Sequence, residues 1–221
     1  MLRPLDAMAD LSFPHNIGAP HILRASPADD ERLAPMLARA FEEDPIINWT
    51  FHSNMARPNA RKLYFQTQLD LGHAHETVFT VDPRLACAIW APPGKWRVGW
   101  FRQLLLAPRI VRMLGAGRLA RGLATFDRLQ KEHPVEPHYY LSVLGVDPNT
   151  QAQGLGSALI RAGLDLADRE KVGAYLETSN QRNLPLYRRH GFEVTKSFDF
   201  EAQGAKGPTC WLMWRPVHAG R

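Results

Sequence analysis

Cysteine is scarce in this 221-residue chain: Cys87 and Cys210 are the only two, far apart and each inside an apolar run. A small disulfide-stapled domain would carry many more, so both are expected as buried free thiols in a reducing compartment. No apolar run approaches the roughly 20 residues that span a bilayer. The N-terminus has no basic stretch leading into an apolar one, the mark of a secretory leader. Lysine-rich runs, zinc-finger spacing, internal repeats and low-complexity segments are also missing. These absences argue against a membrane protein and a nucleic-acid-binding protein, and leave the cytoplasm as the expected location. The net charge of +5 fits an anionic small ligand as well as it fits a polynucleotide. His73 and His75 form an i, i+2 pair with no third ligand nearby, so no metal is expected.

What is present suits a folded globular domain: 45% of residues are apolar and 10% aromatic. Residues 1–20 lack a period and carry several prolines, and read as a loose extension. Residues 21–216 read as one domain and 217–221 as a tail. His21–Ala25 is a candidate strand. Ser26-Pro27-Ala28-Asp29 opens a helix with an N-cap serine, a proline at N1 and acids in the first turn. Leu33, Met36, Leu37, Ala40 and Phe41 continue it at helical spacing until Asp44-Pro45. Short helices are expected from Ile46 and around Leu63–Leu69. Thr77–Val81 and Leu85–Ala91 form a hairpin about Asp82-Pro83-Arg84. Residues 95–132 read as a helical insertion, too long for a hairpin loop. It is rich in arginine, including Arg102, Arg109, Arg112, Arg118, Arg121 and Arg128. These suit a solvated face, or a patch toward an anion. After it come strand 138–146, helix 154–170, strand 173–178, short helix 185–190 and strands 192–200 and 208–215.

The most informative segment is Gln151-Ala152-Gln153-Gly154-Leu155-Gly156-Ser157, between a strand and a helix. The first N–H groups of a helix lack internal partners, and the helix dipole adds positive charge there, so this turn suits phosphate. A triphosphate-binding loop would continue Gly-Lys-Ser/Thr, but Ser157 follows Gly156. A dinucleotide fingerprint would need glycine or alanine where Leu159 stands.

Gln151, Gly154 and Gly156 instead satisfy Q/R-x-x-G-x-G/A. Asn180 follows the strand ending Leu176-Glu177-Thr178, and seven residues later Tyr187 opens Tyr-x-x-x-Gly-Phe with Gly191-Phe192. In these features residues 138–200 resemble the GNAT superfamily of N-acetyltransferases. The stretch from Tyr175 to Tyr187 is similar to the branch that includes puromycin N-acetyltransferase. The resemblance implies an α/β (α+β) fold, with a mixed, mostly antiparallel sheet flanked by helices. It implies acetyl-CoA as cosubstrate and a primary amine as acceptor, either a small molecule or a peptide or protein. A non-catalytic CoA-binding module is a further alternative, and a homodimer is left open.

Acetyl transfer needs a positioned thioester, oxyanion stabilisation, a neutral amine and a proton for the leaving thiolate. By the resemblance, Leu144, Gly145 and Val146 contact the pantetheine arm, and a backbone N–H near Leu144 faces the oxyanion. The N–H groups of Ala152, Gln153, Gly154, Leu155, Gly156 and Ser157 receive the pyrophosphate. Asn180 holds a cofactor amide or orients Tyr187. Tyr187 is the candidate acid, and its phenol, with an ordinary pKa of about 10, is protonated at neutral pH. Glu177 is the candidate base, with Glu43 and Asp44 as alternatives. Gly145 also suits a β-bulge that would splay the strand. Trp49, Phe51, Trp90, Trp96, Trp100, Tyr139 and Tyr140 are candidates for the acceptor pocket.

Overall fold

The computed structural model describes residues 20–51, 59–202 and 204–217 and, for residues 100–103 and 116, the backbone alone. Apart from Pro20 and Val217, the expected extension and tail lie outside these residues. So do the side chains of Trp100 and Arg102.

Seven strands form one sheet: β1 (Ile22–Arg24), β2 (Val78–Val81), β3 (Ala86–Ala91), β4 (His138–Val146), β5 (Gly173–Thr178), β6 (Glu193–Ala202) and β7 (Ala205–Arg215). Their order is β1-β2-β3-β4-β5-β7-β6. Neighbours are antiparallel except β4 and β5, which run parallel. The exception follows from the chain between them. Residues 155–169 form a helix, and a helical crossover returns the chain to start β5 at the same end as β4.

The helices are α1 (Asp30–Ala40), α2 (Pro45–Thr50), α3 (Ala60–His73), α4 (Trp100–Leu114), α5 (Ala116–Glu132), α6 (Leu155–Arg169) and α7 (Leu184–Arg188). A capping box precedes α1: the Ser26 N–H donates to the Asp29 carboxylate at 2.8 Å. The expected helical insertion consists of two helices, broken at Gly115.

Two cores cover the sheet. On one face Leu159, Ile160 and Leu164 of α6 meet Ala88, Trp90, Tyr139 and Leu141. Burying side chains such as Leu159 and Ile160 stabilises by about 1.5–3 kcal/mol each. On the other face α1 and α3 pack Leu33, Leu37, Phe65 and Leu69 against Cys87, Ile89 and Val143. A smaller cluster of Ile47, Phe51, Met113 and Leu114 joins α2 to α4 beyond α1. Cys87 and Cys210 are both buried and free. No helix among the described residues is long and apolar enough to cross a membrane.

Candidate active site

The site begins where β4 leaves β5. Their pairing runs from His138↔Gly173 to Leu141↔Leu176 and stops. On the opposite edge of β4 the register with β3 shifts at the same level: Leu141 faces Trp90 and Val143 faces Ile89, leaving Ser142 as the extra residue. The bulge also changes which face each side chain meets. Tyr139 and Leu141 lie on the α6 side, where alternation alone would put Val143 too. Val143 instead joins the α1–α3 core, while Leu144 and Val146 return to the α6 side.

The bulge expected at Gly145 is therefore at Ser142, whose hydroxyl donates to the Ile89 carbonyl at 3.1 Å. Gly145 pairs regularly with Cys87 and serves a different need. A Cβ there would lie 2.5 Å from Leu37 Cδ2 and 3.2 Å from Phe41 Cε2, so glycine lets α1 lie close on the strand.

Backbone alternation then exposes one edge of β4. The Asp147 N–H donates to the Leu85 carbonyl at 2.7 Å, so its polar groups point toward β3. Gly145 and Val143 share that direction. Leu144 and Val146 point their N–H and C=O groups the other way, into the gap where β5 has departed. β5 pairs neither residue, and the Val146 carbonyl accepts only a long contact of 3.5 Å from the exposed Gln151 Nε2, so the two offer a strand edge to an extended ligand.

That edge leads into the glycine loop. Gly154, at the N-cap of α6, has φ +81°, a left-handed conformation that glycine adopts without strain. Gln151, Ala152, Gln153 and Gly154 are exposed. The Ala158 N–H already bonds the Gly154 carbonyl at 3.0 Å, so Leu155, Gly156 and Ser157 carry the free N–H groups of the first turn. A Cβ on Gly156 would find only ordinary contacts with Val146, Leu186 and Leu144. The exposed loop, the free N–H groups and the strand edge suit a pyrophosphate joined to an extended arm.

Tyr187 is buried on α7, and its phenol has no hydrogen-bond partner among the described residues. Burial and then the nearby negative charge of Asp44 push its pKa well up, keeping it protonated. The Tyr-x-x-x-Gly-Phe pattern is explained locally: Gly191, at φ +82°, ends the helix left-handed. The Phe192 N–H then returns to the Tyr187 carbonyl at 3.2 Å, and the two rings meet edge to face. No hydrogen bond joins Asn180 to Tyr187 among the described residues. Its Oδ1 caps the following turn by accepting from the Arg182 N–H at 3.1 Å.

Glu177 is held more tightly than sequence alone indicated. It accepts from Tyr140 Oη at 2.6 Å and Tyr175 Oη at 3.1 Å. His133 Nδ1 stands 3.6 Å from its Oε1, and the Glu177 side chain is 7% exposed. Asp44 caps α2 through the Ile47 N–H at 2.8 Å and is met by the Ser179 hydroxyl at 3.3 Å. Burial raises its pKa above the ordinary carboxylate value. Tyr64 feels both acids: burial, then the charges of Asp44 and Glu177, lift its phenol to about 12. Glu43 is exposed.

The aromatic candidates divide. Tyr140 faces the acids. Tyr139 points to the opposite face and donates to Glu170 at 2.6 Å. Trp90 is fully buried against α6. Both strand positions face the α6 layer, away from Glu177. Trp96 stacks on His133 at 3.6 Å between centroids, and Phe51 packs on Tyr64. Trp49 lies beneath the Arg121 guanidinium, and Arg118 donates to its carbonyl at 2.7 Å, so α5 is fastened over α2. Arg109 pairs with Asp70 at 2.6 Å, and Arg128 with Glu132 at 3.0 Å. His73 Nε2 pairs with Asp30 at 2.8 Å. No cluster of three or more metal-ligating side chains occurs among the described residues.

Known proteins agree with this architecture. Residues 89–192 match the acetyltransferase (GNAT) family. The chain is 35% identical over 111 residues to the N-alpha-acetyltransferase RimI of Mycobacterium tuberculosis, covering 49% of this chain and 68% of that one. It is 57% identical over 53 residues to the mycothiol acetyltransferase of Clavibacter sepedonicus, which is 23% of this chain and 17% of that protein. The chain thus spans under a third of the mycothiol acetyltransferases it matches. The structure of a histone acetyltransferase HPA2 and related acetyltransferase from Corynebacterium glutamicum superposes with a TM-score of 0.69. That match covers 92% of this chain and 99% of that one at 23% identity, and so speaks for the fold. With the splayed strands, the glycine loop and the tyrosine helix in place, this chain belongs to the GNAT family of acetyltransferases.

Proposed function

We propose that the protein transfers the acetyl group of acetyl-CoA to the primary amine of a small, cationic molecule, by direct attack in a ternary complex. The observation that carries this reading is the gap between β4 and β5. The edge of β4 at Leu144 and Val146, which β5 leaves without a strand partner, leads from the phosphate loop toward Glu177. In this reading the pantetheine arm pairs with that edge, and the pyrophosphate rests on the N–H groups from Ala152 to Ser157. The Leu144 N–H faces the developing oxyanion. Glu177 accepts a proton from the entering ammonium, and Asp44 adds negative charge on the α2 side. The neutral amine attacks the thioester carbon and the C–S bond breaks. Tyr187 gives its proton to the thiolate and regains one from the nitrogen. Neither Cys87 nor Cys210 lies in the matched motif, and burial raises the thiol pKa of both, which disfavours an acetyl-cysteine route.

Two acids beside Tyr64 and Tyr140 suit a cation, and the fastening of α5 over α2 suits an enclosed acceptor. A cytoplasmic setting suits the free thiols. Identity to RimI favours a peptide α-amine as the second reading. The test is release of free CoA across a panel of small amines and N-terminal peptides. Turnover of small cationic amines, with peptides turned over poorly, is expected. Preference for peptides would select the second reading, and tight CoA binding with no turnover would defeat both.

A further inference from the structure

Behind Glu177 lies a buried pair of histidines that the mechanism above does not use. His133 follows α5 and His138 begins β4. Their Nε2 atoms are 3.0 Å apart. His138 Nδ1 is 2.6 Å from the Glu136 carbonyl oxygen. Trp96 covers His133, and the two histidine residues are 8% and 2% exposed.

The partners determine where the protons sit. A carbonyl oxygen only accepts, so His138 carries its proton on Nδ1 and donates it to Glu136. The Nε2 of neutral His138 is then an acceptor, and His133 must donate to it from its own Nε2. Neutral His133 therefore has a bare Nδ1, directed at a carboxylate that already accepts from two tyrosines. Two acceptors facing each other cannot bond, which accounts for the 3.6 Å separation, longer than a hydrogen bond. One proton placed between them would convert the contact into an imidazolium–carboxylate pair.

We propose that His133 stores the proton that Glu177 removes from the entering amine, and that His138 is a positioning residue that fixes the receptive tautomer of His133. This inference rests on the proposed role of Glu177. An aliphatic ammonium must lose one proton before its nitrogen can attack. That proton passes to the Glu177 carboxylate and on to His133 Nδ1. The products are a neutral amine, an unchanged carboxylate and an imidazolium, so charge and protons balance. The imidazolium returns its proton to water once the acetylated product leaves. The later proton exchange at the thiolate stays with Tyr187.

Other groups around His133 support this assignment. Tyr140 and Tyr175 present ring edges to it, and burial with the Glu177 charge pushes both phenols far up, so they stay protonated. Burial lowers the pKa of His138, favouring its neutral form. Glu132, next in sequence, is paired with Arg128 and Lys196. The charge of Glu136 acts on His138, and Glu177 is the carboxylate within 4 Å of His133 among the described residues.

The test joins imidazole NMR with kinetics. Long-range proton–nitrogen spectra of the intact protein should show His138 as the Nδ1–H tautomer. They should show His133 titrating from Nε2–H to imidazolium. Glu177→Gln should move the His133 transition to lower pH, because the imidazolium loses its facing carboxylate. An unmoved titration, or the opposite tautomer at His138, overturns the proposal whether or not any amine is turned over. In the acetylation assay, His133→Gln should lower kcat about tenfold or more, with KM for acetyl-CoA unchanged. Its acid limb should lie at lower pH than that of the wild-type protein. A fall in kcat with an unshifted acid limb would mark His133 as merely structural and overturn the proposal. Absence of turnover in the wild-type protein would defeat the reading of Glu177 as a base, while the NMR arm still decides whether His133 and Glu177 share a proton.

Discussion

Tyr187→Phe is expected to lower kcat about a hundredfold or more, the range for loss of a positioned general acid, with acetyl-CoA affinity nearly unchanged. The phenol bonds no described residue, so its removal breaks no internal hydrogen bond, and phenylalanine fills the same buried space. The loss should therefore fall on protonation of the departing thiolate. The pH dependence follows from the sign of the shift. Burial and the charge of Asp44 raise the Tyr187 pKa. The protonated, donating form thus persists above the ordinary tyrosine value of about 10, and Tyr187 contributes no basic limb below that pH. Single-turnover kinetics would check this by isolating the chemical step. An unchanged chemical rate would remove Tyr187 as the acid.

Gly154→Glu is expected to weaken CoA binding about a hundredfold or more while the fold survives. Three effects compete. The left-handed φ of +81° strains any L-residue by about 1–3 kcal/mol. A carboxylate at a helix N-terminus recovers about 0.3–1 kcal/mol through the dipole. A Cβ meets nothing within 4 Å, so no clash adds to these. The larger effect is on the ligand. Two like charges about 4 Å apart repel by roughly 4 kcal/mol at an effective dielectric constant of 20, and each 1.4 kcal/mol is a factor of ten in affinity. Gly154→Asn separates strain from charge, because asparagine tolerates the left-handed region. Calorimetry should find CoA affinity near normal in the asparagine variant and lost in the glutamate variant. Equal affinity in both would place the pyrophosphate elsewhere.

The glycines of the loop and of α7 were legible because their signals are local. Gly154 is needed by its own backbone angle and Gly191 by the end of α7, and both appear in sequence as glycines at fixed offsets. The acid–base side depends on register between strands. Tyr140 and Tyr175 lie opposite each other only because β4 and β5 are parallel with that pairing. Glu177 then shares a face with Tyr175 as its i+2 neighbour. Tyr139 and Tyr140 are both candidates from sequence because alternation does not say which face holds the site; the structure turns Tyr140 toward Glu177 and Tyr139 toward Glu170. The bulge at Ser142 was illegible for the same reason: a bulge belongs to a pair of strands, and serine does not announce one. His133 escaped notice because a helix end folds back on the start of a strand five residues later, a contact set by packing rather than by pattern.

The central claim is that acetyl-CoA occupies the gap between β4 and β5, along the edge of β4 and onto the glycine loop. The most direct measurement is an amide NMR titration of the full chain with CoA. The account predicts the largest perturbations at Leu144 and Val146 and from Ala152 to Ser157, with smaller changes at Gly145 and Val143, whose N–H groups face β3. Perturbations confined to other surfaces, or saturable binding that leaves Leu144, Val146 and the loop unmoved, would contradict it.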